Sequence, residues 1–198
     1  MASPCAIDGV MRAIDRYRPR RILEVGAGIG TITAAILEAA PAETEIVTAE
    51  NNDYCREQLA ENLGAALDRV TLIRSTDEVT GTFEFVVVDG EQISDVVKFV
   101  SDHGVVLVEG DREPQRDQLI ESGRPFCVQH VRTLSLMAPD DPWSHASVER
   151  YHGGYYLFRF EPTANDRRRF AVADYWHVHT IGWRRRVRRV VGLERPRH

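Results

Sequence analysis

A glutamate followed closely by three glycines is the first feature of this sequence whose residue types and spacing suggest chemistry. Glu24 stands two residues before Gly26, and the turn continues through Gly28 to Gly30. A glycine turn between a strand and a helix lets the backbone approach a ligand closely, because glycine has no side chain to block it. The dinucleotide fingerprint requires a glycine at position 31, where this chain has Thr31. The acid favours a ligand that carries an ammonium group over a pyrophosphate, which a carboxylate repels.

Strands and helices alternate along the chain on both sides of this turn. Apolar periodicity, capping residues and chain breakers predict strands at 20–25, 45–49, 69–74, 83–88, 104–108, 127–137 and 155–160, and helices at 3–17, 31–40, 53–63, 92–100 and 114–121. This order predicts an α/β fold: a doubly wound, mostly parallel seven-stranded sheet with helices on both faces and an antiparallel C-terminal edge hairpin. Ligands of such sheets lie beyond the carboxyl ends of the strands.

Composition and charge separate a body from a C-terminal extension. A chain of 198 residues fits one domain with a short appendage. Residues 1–163 hold 15 basic and 27 acidic residues, whereas residues 164–198 hold 10 arginines and 3 acids. We therefore expect a domain at 1–163 and a basic amphipathic extension at 164–198. The sequence has neither a long apolar run nor a signal-peptide pattern, so we expect a cytoplasmic protein.

Four short runs resemble motifs of one enzyme family. The run Ile22–Thr31 looks like the first motif of class I, Rossmann-like methyltransferases, which use S-adenosylmethionine. The runs Val47–Asn52, Thr76–Asp77 and Phe85–Gly90 stand where the family has further motifs. The resemblance covers roughly residues 3–160, and the combination is more specific than any single run.

The resemblance implies a cofactor site. The glycines would approach the methionine half of S-adenosylmethionine, and Glu24 would meet its amino group through water. Glu50 matches the acid that holds both ribose hydroxyls, and Thr76 with Asp77 matches the adenine contacts. Asp89 and Gly90 match the motif beside the reactive sulfonium. The implied cofactor-binding residues are Glu24, Gly26, Ala27, Gly28, Gly30, Glu50, Asn51, Thr76, Asp77, Asp89 and Gly90.

The acceptor side offers few residues for catalysis. Methyl transfer to oxygen requires an aligned nucleophile and a group that accepts a proton, because the cofactor carries the activated methyl. The candidate bases in the loops facing the acceptor are Asp111, Glu109 and His145, with His152 as a further one. We expect a small-molecule acceptor, methylated at oxygen, such as a glycan, a lipid-linked sugar or a natural product.

A metal site is an alternative that the sequence leaves open. Asp89, Glu109 and Asp111 could hold Mg²⁺, which would orient two acceptor oxygens. Catechol-type O-methyltransferases have such acids, with an Asp-Asn pair after the fifth strand. This chain has Glu109-Gly110-Asp111 there, so the sequence does not favour a metal.

Two further functions remain open at this point. An RNA methyltransferase could use the basic extension, although the run that amino-methylating nucleic-acid enzymes usually show after strand four is missing. The second open function is that of a non-catalytic module that binds the cofactor.

The extension itself has three interpretations. Six residues fall at helical spacing among its arginines: Trp176, Thr180, Trp183, Val187, Val190 and Val191. We expect this face to pack on the chain's own body or on a second subunit of a homodimer. Peripheral contact with an anionic membrane comes second, and nucleic acid third.

Overall fold

The computed structural model describes residues 2–89, 96–110, 113–132, 154–173, 175–176 and 179. Within these residues the helices are α1 (Pro4–Tyr17), α2 (Thr31–Ala39), α3 (Asp53–Leu63), α4 (Glu113–Glu121) and α5 (164–173). The strands are β1 (Arg21–Val25), β2 (Glu45–Ala49), β3 (Val70–Ile73), β4 (Phe83–Val88), β5 (Val100–Glu109), β6 (Phe126–Arg132) and β7 (Gly154–Phe160).

These strands form one sheet in the order β3-β2-β1-β4-β5-β7-β6. β1 to β5 pair in parallel, whereas β7 lies antiparallel between β5 and β6. The predicted fold class is confirmed, with the last strand inserted into the sheet before the sixth. β6 therefore forms one edge of the sheet and β3 the other, and β7 is paired on both sides.

Helices cover both faces of the sheet, so its central strands are apolar. Alternate residues of β4 point to opposite faces, so Phe85 packs in one core cluster and Val86 in the other. The first cluster also contains Ile14 of α1 and Ile36 of α2. Buried on both faces, β4 has the near-continuous apolar sequence typical of parallel sheets.

Most predicted elements match the structure, with one exception. A helix was expected at 92–100, but 96–99 form a 3-10 turn and Val100 begins β5. That prediction is wrong for the described residues, and 92–95 lie outside them. Residues 133–137 of the predicted sixth strand lie outside them as well.

The start of the basic extension packs against the body. The side chain of Thr163 caps α5 by accepting a hydrogen bond from the backbone N–H of Asp166 at 3.1 Å. Phe170 is buried in the cluster that contains Ile14. Trp176 keeps 62% of its surface exposed, so the predicted packing on the body is wrong for this residue. The predicted face beyond it, at Thr180, Trp183, Val187, Val190 and Val191, lies outside the described residues.

In the described part of the chain, no helix has both the length and the apolar character needed to cross a bilayer.

Candidate functional site

The site is built where the parallel strands end. Val25 of β1 lies between Ala49 of β2 and Val88 of β4, so the three strands end at the same level and the loops that follow them lie side by side. The loop after β1 is held down because the backbone N–H groups of Gly26 and Ala27 both donate to Ala49 O, at 2.9 and 3.4 Å. The loop after β4 starts with Asp89, whose N–H donates to Val25 O at 2.9 Å. The carboxyl edge of the sheet therefore presents a fixed turn flanked by acids.

Gly28 and Gly30 are needed in the turn for different physical reasons. Gly28 has φ of +53°, and a Cβ built on it would meet no heavy atom within 4 Å. The backbone there borders open space in which a ligand can approach it. Gly30 has φ of +92° and precedes α2, and a Cβ on it would lie 3.3 Å from Cγ of Leu59 on α3. Gly28 fits the predicted approach to a ligand, whereas Gly30 is required by backbone conformation and helix packing.

Glu24 is a fully buried carboxyl group at the centre of the sheet. Its Oε2 accepts hydrogen bonds from the hydroxyls of Thr33 at 2.7 Å and Thr48 at 2.9 Å. Its Oε1 is buried and has no hydrogen-bond partner among the described residues. Burial raises the pKa of Glu24 to about 7, against the lowering effect of the two hydroxyls. A group in this state favours a cationic partner, because a nearby positive charge restores the ionised form.

Glu50 follows β2 and is held in place by two backbone groups. Its Oε2 accepts from Gly28 N at 2.7 Å and its Oε1 from Asn52 N at 2.9 Å. A carboxylate oxygen has two lone-pair sites, so each oxygen can still accept one hydroxyl. The carboxylate is thus oriented beside the glycine turn, as a residue that binds a diol must be.

Arg56 of α3 supports Glu50, and sequence reasoning missed it. One guanidinium nitrogen of Arg56 donates to the carbonyl oxygens of Glu50 at 3.0 Å and Ile73 at 2.8 Å. The ends of β2 and β3 are therefore tied together from the side of α3. In the sequence, Arg56 is marked only by its position six residues after Glu50, and this spacing predicts no particular contact.

The predicted adenine contacts follow β3. Thr76 and Asp77 lie in a 3-10 turn whose cap is Ser75, which accepts from Asp77 N at 3.1 Å. Glu78 closes a capping box in the same turn. Asp77 is exposed and Thr76 half-buried, and their turn starts beside Glu50 because Glu50 N donates to Ile73 O at 3.0 Å. Asn51, which follows Glu50, is exposed.

The acids after β4 and β5 are placed differently from each other. Asp89 is half-buried beside the glycine turn. Glu109 is buried at the end of β5, and its Oε1 accepts from Ser3 N at 3.1 Å. This bond joins the start of α1 to the carboxyl edge, which the sequence did not indicate. Within the described ranges, no group of three His, Cys, Asp or Glu residues could hold a metal. Gly90, Asp111, His145 and His152 lie outside those ranges.

The sequence matches no protein-family model and no curated protein, but the fold is similar to many solved structures. The O-methyltransferase TomG of Streptomyces achromogenes, solved with S-adenosylmethionine, has 18% identity and a TM-score of 0.60 over 82% of each chain. An S-adenosylmethionine-dependent O-methyltransferase of Thermotoga maritima has 16% identity and a TM-score of 0.63 over 82% of this chain and 67% of its own. An O-methyltransferase of Bacillus cereus, solved with S-adenosylhomocysteine, has 14% identity and a TM-score of 0.59 over 81% of this chain and 82% of its own.

This likeness, together with the strand order, decides the fold. The chain has the class I, Rossmann-like methyltransferase fold. The resemblance drawn from the runs around Glu24, Glu50 and Asp89 is confirmed at the level of the fold. In this methyltransferase fold Glu24 is the penultimate residue of β1, and Glu50 and Asp89 follow the adjacent strands β2 and β4, so the three acids lie toward the carboxyl edge of the sheet. Their roles toward a cofactor are predictions.

Proposed function

We propose that this chain is an S-adenosylmethionine-dependent methyltransferase that methylates an oxygen of a small-molecule acceptor. The observation that carries the proposal is the pair of carboxylates on either side of the glycine turn. Glu24 is buried with one oxygen that no described group satisfies, and Glu50 is fixed by two backbone N–H groups with lone pairs to spare. Similar structures with S-adenosylmethionine or S-adenosylhomocysteine support the same cofactor.

The residues present fit the cofactor by chemistry as well as position. An ammonium group near the unsatisfied Oε1 would compensate the burial of Glu24. Two ribose hydroxyls would donate to Glu50, and the open space at Gly28 admits a ligand against the backbone. Thr76 and Asp77 would line the adenine end, and Asp89 would lie near the sulfonium. When bound, S-adenosylmethionine supplies the methyl group already activated for transfer.

The protein's own contribution is positioning and proton acceptance. The rigid carboxyl edge holds the cofactor while the acceptor oxygen is aligned from the loops after β4 and β5. Our candidates for the base are Asp111, Glu109 and His145. Glu109 also accepts a hydrogen bond from Ser3 N, which ties the start of α1 to the carboxyl edge of the sheet.

The test of the cofactor assignment is a calorimetric titration with S-adenosylhomocysteine. We expect binding at least about tenfold tighter than that of NAD, because the turn lacks the third glycine of a pyrophosphate site. Glu50→Ala should weaken binding by about tenfold or more, since each hydrogen bond to a charged group contributes about 1.5–3 kcal/mol. Glu57→Ala, at an exposed position of α3, is the matched control and should bind normally. Unchanged affinity in Glu50→Ala would remove Glu50 from the site.

Catalysis needs a separate measurement. Transfer of a labelled methyl group to phenols, catechols, sugars or glycolipids should give a product at oxygen. Tight cofactor binding without product on any acceptor would favour the non-catalytic module, and product on RNA would favour the nucleic-acid enzyme.

A further inference from the structure

The outward side of α5 and the residues after it carry an apolar and aromatic stripe, which we call the outer stripe: Val172, Tyr175, Trp176 and His179. Their spacing of three, four and seven residues places them on one side of a helix. Asp166 and Phe170, on the opposite side, are buried against the body. Val172, Tyr175 and Trp176 are 56%, 60% and 62% exposed.

The three rings of the outer stripe lie together, with Tyr175 next to both of the others. The ring centroids of Tyr175 and Trp176 are 6.3 Å apart, and those of Tyr175 and His179 are 4.1 Å apart. Single exposed apolar residues are ordinary, but a contiguous exposed patch marks an interaction surface. Tyrosine and tryptophan combine an apolar ring with a polar group, which suits a boundary between water and an apolar phase.

Arginines border this stripe. Arg167, Arg168 and Arg169 of α5 are exposed, and so is Arg16 of α1. A groove of about 580 Å³ lies between the two helices, lined by Arg16, Arg168, Arg169, Val172 and Ala173. Asp166, the one acidic residue of α5, turns inward, where its Oδ2 accepts from the Thr163 hydroxyl at 2.7 Å. The outward charge of α5 is therefore entirely positive.

We propose that the outer stripe and its bordering arginines form a docking face for an anionic lipid bilayer. A helix that combines a basic border with exposed Val, Tyr and Trp lies in the headgroup region, with its rings at the level of the acyl boundary. The arginines would meet lipid phosphates and carboxylates.

The charge of the remaining chain supports a planar partner over RNA. Residues 1–163 carry 27 acids against 15 basic residues, so an anionic polymer that wraps the body is repelled. A bilayer meets only the face that is presented to it.

The experiment measures binding of the full-length chain to vesicles of phosphatidylcholine with about 30% phosphatidylserine, and to phosphatidylcholine alone. The chain has three tryptophans. Replacing Trp143 and Trp183 by Phe therefore leaves Trp176 as the sole reporter. We expect co-sedimentation with the anionic vesicles that weakens as salt is added, and a blue shift of the Trp176 emission on binding.

Three variants test the surface itself. Tyr175→Ser with Trp176→Ser should lower the affinity for anionic vesicles by about tenfold or more. Arg168→Gln with Arg169→Gln should lower it too, and this pair keeps the test valid if the first variant fails to fold. Ile120→Ser, at an exposed apolar position of α4, is the control and should bind normally.

Five outcomes would overturn the proposal. Vesicle binding without a Trp176 blue shift, or binding that survives both double variants, would place the contact elsewhere in the chain. A dimer that Tyr175→Ser with Trp176→Ser dissociates, without vesicle binding, would make the stripe a contact between subunits. A lowered melting temperature in that variant, without vesicle binding, would show that the chain itself covers the stripe. Preferential binding of RNA over vesicles would identify a nucleic-acid surface.

Discussion

Replacing Glu24 by Gln should change how the stability of this protein depends on pH. The side chain is fully buried, and its Oε2 accepts from both Thr33 and Thr48. Glutamine keeps the shape and leaves a carbonyl oxygen to accept both hydroxyl bonds. Its amide nitrogen would take the position of Oε1, so any cost of that unsatisfied group is the same at every pH.

The sign and size follow from the raised pKa. Burial raises the pKa of Glu24 from the ordinary 4.5 to about 7 in the folded protein. Between these values the folded chain keeps a proton that the unfolded chain has released, so stability falls as the pH rises through this window. Below about pH 4.5 this loss is absent, and above about pH 7 it is complete. At 1.36 kcal/mol per pKa unit, the full loss is about 3 kcal/mol.

Urea unfolding at about pH 4.5 and about pH 8 measures this loss directly. We expect Glu24→Gln to be more stable than the native chain at the higher pH by about 2–4 kcal/mol, and close to it at the lower pH. Glu43→Gln, in an exposed turn, is the matched control and should follow the native chain at both values. If the native chain and Glu24→Gln lose stability in parallel between the two pH values, folding does not raise the pKa of Glu24, contrary to the effect expected from its burial.

Three further predictions concern other parts of the chain. Arg56→Met removes the bridge between the carbonyl groups that end β2 and β3, so affinity for S-adenosylhomocysteine should fall several-fold by calorimetry; an unchanged value would separate Arg56 from the placement of Glu50. Phe170→Ala should lower the free energy of unfolding by about 3–5 kcal/mol, whereas Val172→Ala, on the exposed side of α5, should lower it little; equal losses would contradict the packing of α5. Methyl transfer should survive treatment with a chelator, and loss of activity that Mg²⁺ restores would make ligands of Asp89, Glu109 and Asp111.

The sequence alone determined the elements and the order in which they occur. Helix and strand periods are local properties, so the apolar run of β4 and the helical spacing of α1 could be read without neighbours. The helix expected at 3–17 begins as the sequence indicates, since the side chain of Ser3 caps α1 by accepting from Ala6 N at 3.2 Å. The glycine turn and the acids around it were visible because their spacing is short. The helix expected at 92–100 failed at its described end, where an apolar run fits helix and buried strand equally well.

Only the tertiary structure decided which distant residues meet. Ser3 and Glu109 are 106 positions apart, and Arg56 reaches the carbonyl of Ile73 from another element. No period or propensity encodes such pairs, because they depend on the order of strands in the sheet and on the angles of the helices. The same holds for α5, which has apolar residues on both of its sides, so the sequence alone does not show which side is buried. Phe170 is buried in the first cluster and Trp176, after α5, is exposed, because a helix that packs on a core buries only one of its sides.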